Sequence, residues 1–128
     1  MAFRCPRCGG SGSLGIALSV ELPPDSRSDE ISLQLVACSA CDFAGLAVYE
    51  ESRRGSLGDD SFHHTGYRMA QEELASLAEL LQSCPCPQDP GCLCPAHRQL
   101  GRRDAQGTWD GLAGLNLGEP FPMHLESR

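Results

Sequence analysis

The residues of this chain best equipped for chemistry are its eight cysteines. Cys5 and Cys8 form one CxxC pair in "CPRCGG", and Cys38 and Cys41 form a second in "CSACDFAG". Cys84, Cys86, Cys92 and Cys94 are gathered with His97 and several prolines in "CPCPQDPGCLCPAH". A CxxC turn aims both sulfurs at one point, which is the geometry that a metal ion requires. A thioredoxin-type redox role needs a βαβ setting around the pair, and the flanking sequence offers none.

The compartment decides between metal and disulfide. The N-terminal stretch "MAFRCPRCGG" has no apolar core of the signal-peptide kind, so a cytoplasmic setting is expected. Thiols stay reduced there, and paired cysteines are then read as metal ligands. No apolar run approaches the length of a membrane span, so no membrane association is expected.

In the first pair of knuckles Gly9 eases the turn after Cys8 and Pro6 stiffens it. Cys5, Cys8, Cys38 and Cys41 together offer four thiolates, the closed set of a structural zinc. "CPRCGG" and "CSACDFAG" resemble the paired knuckles of the zinc-ribbon superfamily, a resemblance that covers residues 1–52. It implies a zinc-holding hairpin and leaves function open, because zinc ribbons serve in transcription factors, ribosomal proteins, enzyme subunits and adaptor modules. Rubredoxins share the two-knuckle layout and bind iron, but they also resemble one another in a cluster of buried aromatics. Only Phe3, Phe43 and Tyr49 are at hand here, so zinc is the expected ion.

The second cluster offers five candidates for four positions. One ligand set is Cys84, Cys86, Cys92 and Cys94, with His97 in reserve; this set is the expected one. Another takes Cys84 or Cys86 together with Cys92, Cys94 and His97, using the CxxH spacing of the last two. His63 or His64 could also enter from outside. Two Zn²⁺ per chain are expected, and their binding free energy would be folding free energy.

A third group of reactive side chains lies in "RRGSLGDDSFHHTGY". Arg53, Arg54, Asp59, Asp60, His63 and His64 are candidate binding residues. Paired Asp and His can bind a catalytic metal or move protons. Against that, a polar connection is exposed by default, and neighbours on a strand point to opposite sides. The segment fits no metalloprotease, deaminase or serine-hydrolase motif. No catalytic residue is assigned.

The elements that must position these groups follow from periodicity. "SLGIALSVEL", "ISLQLVAC" and "FAGLAVYEE" read as strands, the first ending at Pro23-Pro24. Tyr67, Ala70, Leu74, Leu77 and Leu81 form one apolar stripe, predicting a helix over 67–82 with Thr65 as its N-cap. The expected fold is a small α+β protein: a three-stranded antiparallel zinc ribbon with one amphipathic helix and a second Cys-rich cluster. Its divisions are the ribbon at 1–52, a polar connecting loop at 53–66, the helix and cluster at 67–97, and a Gly-containing tail at 98–128. That tail is expected to be partly disordered or to dock through Trp109, Leu112, Leu115 and Leu117.

Composition narrows the function. Aromatics make up only 5% of the 128 residues, so a small core here needs staples. Net charge is −7, and two zinc ions on eight thiolates would add about −4. Nucleic-acid binding through overall charge is disfavoured, and only a local patch (Arg4 with Arg7, or Arg98 with Arg102 and Arg103) could support it. All ten basic residues are Arg, a bias that GC-rich bacterial genomes produce. The leading expectation is a protein-binding module or accessory subunit with structural metals. Homodimerisation would cover any helix stripe left bare. Alternatives are a nucleic-acid binder using an Arg patch and a small metalloenzyme or redox protein using the Asp59–His64 loop.

Overall fold

The computed structural model describes residues 2–52 and 61–125. Among them the chain forms six strands and two helices: β1 (Ala2–Phe3), β2 (Leu14–Leu22), β3 (Glu30–Cys38), β4 (Ala44–Ser52), β5 (Ser61–Tyr67), α1 (Gln71–Gln82), α2 (Pro95–Leu100) and β6 (Pro120–Pro122). The strands make one antiparallel sheet in sequence order. The fold is therefore a curled six-stranded sheet, not the expected three-stranded ribbon.

The extra strands come from segments whose local signals point elsewhere. "SFHHTGY" is polar and contains glycine, yet it is β5, paired along β4 from Leu46↔Tyr67 to Ser52↔Ser61. Residues 61–66 are thus sheet rather than connecting loop, and Thr65 is a strand residue rather than a helix cap. β6 is Pro-Phe-Pro, which only an edge strand tolerates, and it pairs with β5 through Gly66↔Phe121. α1 begins at Gln71, four residues later than the stripe predicts. Its N-cap, Ala70, is extended and offers no side-chain hydrogen bond.

The sheet has two faces, and a bulge sets which residues reach each. In β2 the register shifts between Ile16 and Leu18. Leu14 consequently lies with Phe3 and Val36 on one face, whereas Val20 and Leu22 lie with Ile31, Leu33, Leu46 and Val48 on the other. That second, outer face is covered by Leu77 and Leu81 of α1 and Leu100 of α2, with Trp109, Leu112, Leu115 and Leu117 of the tail packed alongside.

The first face is the inside of the curl. β1 and β5 are four strands apart, roughly 19 Å in a flat sheet. Yet the Phe3 and His64 rings meet edge-on, with centroids 5.1 Å apart. The chain after β6 returns to β1 through a Phe3↔Leu125 bridge and a hydrogen bond from the Arg4 amide to the His124 carbonyl (3.1 Å). Inside, the end near the knuckles is apolar: Phe3, Leu14, Val36, Ala47 and Phe121. Further along the strands the inside is polar. Ser19 and Ser32 share a hydrogen bond (3.1 Å), and His64 Nε2 bonds Gln34 Oε1 (2.8 Å).

No helix among the described residues is long and apolar enough to cross a membrane.

Candidate metal centres

The first knuckle is the turn between β1 and β2, and the second is the turn between β3 and β4. The pairing of β2 with β3 through Leu14↔Cys38 brings the two turns to the same end of the sheet. There the sulfurs of Cys5, Cys8, Cys38 and Cys41 all lie within 4.8 Å of one another. A zinc–thiolate bond of about 2.3 Å in a tetrahedron puts sulfurs about 3.8 Å apart. Cys5 to Cys41 is 3.7 Å and Cys8 to Cys38 is 3.8 Å, so the spacing already fits an ion at the centre.

Both turns aim backbone amides at sulfur. The amides of Arg7 and Cys8 face Cys5 Sγ, Gly10 faces Cys8, Ala40 faces Cys38 and Phe43 faces Cys41, at 3.3 to 3.5 Å. Gly9 takes a left-handed φ of 73°, which lets the first knuckle close without Cβ strain. Hydrogen bonding to Ser13, then to the Ala40 amide, holds the Cys38 thiol down at about 6 against the opposing effect of burial. At Cys41 the Phe43 amide pulls the other way, but burial and the neighbouring sulfurs outweigh it and push the thiol up to about 12. Four thiols this close cannot all ionise without a cation among them.

The second centre forms where α1 ends and α2 begins. Cys84, Cys92, Cys94 and His97 bring their ligand atoms within 4.8 Å of one another. Cys84 Sγ lies 3.9 Å from Cys92 Sγ and 3.4 Å from His97 Nδ1, and Cys94 Sγ lies 3.2 Å from the same nitrogen. Mixed sulfur and nitrogen ligands on one zinc stand about 3.5 Å apart. The four-cysteine set is therefore not the one the fold assembles. Cys86 is exposed and outside the group, while His97 is buried within it.

The reason lies in local structure. Cys94 is the N-cap of α2, Pro95 occupies its first turn, and Cys94 Sγ accepts the His97 amide at 3.4 Å. The helical turn thereby places the imidazole back over the capping sulfur. His97 Nε2 donates to the Glu21 carbonyl at 2.8 Å, which leaves Nδ1 as the lone pair facing the sulfurs. Burial first, together with neighbouring Cys94, raises the Cys84 thiol to about 11. At Cys94 burial acts in the same sense, but the His97 amide and ring and the two nearby thiols overcome it and lower the thiol to about 6.

Of the third group of sequence candidates, only His63 and His64 are among the described residues. Arg53, Arg54, Asp59 and Asp60 lie outside the described residues. His63 is exposed, and His64 points to the opposite face of β5, between Phe3 and Tyr49. The two imidazoles therefore cannot share an ion. Burial lowers the pKa of His64 and keeps the ring neutral. The arginines named as a patch are in part engaged: Arg102 pairs with Asp110 at 3.9 Å, and Arg103 donates to the Pro24 carbonyl. Ser13, Glu21 and Gln34 escape sequence reasoning altogether, since a serine, a strand carbonyl and a glutamine carry no spacing signal.

Beside the first centre, an open groove of 1370 Å³ runs between α1 and the strands, floored by Leu18, Leu35, Leu74 and Ala78 and bordered by Arg7 and Arg68. Compared with protein-family models, with curated proteins and with solved structures, the chain matches none.

Proposed function

We propose that this protein is a zinc-stapled binding module, an accessory protein whose two metals are structural and whose partner is another protein. One observation carries the reading: each centre gathers four protein ligand atoms within 4.8 Å of one another, the number that fills a tetrahedral ion. A catalytic zinc keeps one position open. Zinc is favoured over iron by the mixed Cys₃His set of the second centre.

Each ion would clasp together separate parts of the fold. The first joins two hairpin turns, and the second joins the end of α1 to the start of α2 and to β2. Protein binding is supported by the apolar groove beside the first centre, whose shape depends on that centre, and by the acidic net charge, which disfavours nucleic acid.

Elemental analysis of the purified chain, with cobalt substitution, tests the metal part. Two ions per chain are expected, with the intense visible bands of tetrahedral cobalt–thiolate sites. One ion or none, or a five- or six-coordinate cobalt spectrum at either centre, would remove the basis of the proposal. For the partner, Ala78→Arg fills the groove without touching either centre, and it should abolish a co-purifying partner's binding while keeping two zinc ions. Retained binding would place the partner elsewhere.

A further inference from the structure

The polar end of the curled sheet is used by neither metal centre. Gln34 on β3 is buried (7% exposed) and accepts the His64 Nε2 proton through Oε1. That bond consumes one of the amide's two ends. The Nε2 donors of Gln34 and the Nδ1 lone pair of His64 have no partner among the described residues. Among the described residues, no fully buried side-chain nitrogen or oxygen lacks a partner. The free amide nitrogen of Gln34 and the free ring nitrogen of His64 therefore open onto accessible space, although they stand among buried neighbours.

What surrounds them has a consistent character. Tyr49 lies edge-on to His64 at 5.5 Å and stacks on Phe62 at 6.1 Å with 28° between the planes. Phe62 is 67% exposed, on the same face of β5 as His64, so part of its ring is open to a further stacking partner. The Ser19 and Ser32 hydroxyls lie beside Gln34 on the neighbouring strand pair. Glu51 accepts the Tyr49 hydroxyl at 2.5 Å and faces Glu30 across the β3–β4 pair.

We propose that this open end is a metal-free binding site for a planar nitrogen heterocycle of the nucleobase type. Gln34 and His64 would read an adjacent acceptor and donor on its edge, and Phe62 would stack on its face. A planar, uncharged ring with paired polar edge atoms would engage Gln34, His64 and Phe62 together. The inference is independent of the metal reading, since none of these residues belongs to either four-ligand group.

The experiment titrates the full zinc-loaded chain with adenosine, guanosine, cytidine and uridine in turn, following the His64 ring nitrogens by NMR and the heat by calorimetry. At least one nucleoside is expected to bind saturably at sub-millimolar concentration and to shift His64 Nδ1. Phe62→Ala, at an exposed position, should weaken that binding about tenfold while leaving zinc content unchanged. The paired change Gln34→Leu with His64→Phe removes both bonding partners together and should abolish it. A short single-stranded oligonucleotide separates the sources of the base. Tighter, salt-dependent binding assigns it to a nucleic-acid strand, and equal or weaker binding assigns it to a free nucleoside. If no nucleoside and no oligonucleotide shifts His64 saturably, the proposal fails. It also fails if Phe62→Ala binds as the native chain does. Those two readouts decide the matter even should the paired variant not fold.

Discussion

His97 and Glu21 are joined ring to backbone: the imidazole Nε2 donates to the Glu21 carbonyl at 2.8 Å, while Nδ1 of the same ring faces Cys84 and Cys94. The Glu21 amide in turn donates to the Pro87 carbonyl at 2.7 Å. Both outward backbone groups of this β2 residue are thus taken by the second centre. An edge that would otherwise be open to another strand is closed there. The centre is at once a ligand set and the cover of a sheet edge. His97→Ala should therefore reduce the zinc content from two ions to one, and Cys86→Ser should leave it at two. His97→Cys should keep the second ion but lose the Glu21 bond, exposing its carbonyl. Elemental analysis of the three variants, with amide exchange at Glu21 and its β2 neighbours, reads both effects. Loss of an ion in Cys86→Ser would contradict the ligand assignment.

Metal affinity should rise with pH, and the shifted thiols say where. Without metal, Cys38 and Cys94 titrate at about 6, so above neutrality they are already thiolates and contribute no further dependence. Cys41 at about 12 and Cys84 at about 11 stay protonated across the neutral range, and each must release a proton when the ion binds. Between pH 7 and 9 the apparent affinity of each centre should thus climb by at least about tenfold per pH unit. Competition with a chelator at a series of pH values measures the slope. A flat profile would mean that the thiols are not the ligands.

The cysteine spacing exposes both centres in the sequence, because ligand geometry is a local property of a turn. The first tetrad is complete from its two CxxC turns. In the second, the ring of His97 wins over Cys86 because α2 starts at Cys94 and carries residue 97 back over it, which a string of letters with five candidates does not decide. β2, β3 and β4 are visible through their alternation. β5 is not, since His63, His64 and Thr65 read as polar loop until Tyr49 and Gln34 supply the partners on the inner face. β6 is hidden by its own prolines. The curl itself depends on Phe3 meeting His64 and Leu125, contacts between residues more than sixty positions apart.

Asp25 anchors the segment after α2 to the loop between β2 and β3. Its carboxylate accepts the amides of Arg27 and Ser28 at 2.8 and 2.6 Å through one oxygen and that of Trp109 at 2.6 Å through the other. Burial opposes ionisation, but the three amides, Trp109 first, and the charge of Arg27 lower its pKa below 3.8. A carboxyl depressed on folding stabilises the fold above its unfolded pKa, and the contribution is lost as pH falls through the folded value. Asp25→Asn should cost about 2 kcal/mol at neutral pH, the scale of a charged hydrogen-bond network. The difference between variant and native chain should shrink below pH 4. Urea denaturation at pH 7 and pH 3 compares them, and an equal difference at both would refute the ionised role.

Gly66 is occupied by its neighbour. The Phe121 ring lies over it, and a Cβ there would fall inside contact distance of ring carbons Cε2, Cζ and Cδ2. Phe121 is held from the other side by Phe43, edge-on with centroids 5.5 Å apart, and by the Arg68 guanidinium at 5.4 Å, so it cannot swing away freely. The Gly66↔Phe121 pair is also the middle of the short β5–β6 contact. Gly66→Ala should consequently destabilise the chain by about 1–3 kcal/mol, the usual cost of overpacking. It should do so by detaching β6 while both zinc ions stay bound, because none of the eight ligands lies on that strand. Thermal unfolding measures the loss. Adding Phe121→Leu, which opens room for the methyl group, should recover part of it. A Gly66→Ala chain as stable as the native one would show that Phe121 does not pack over the strand.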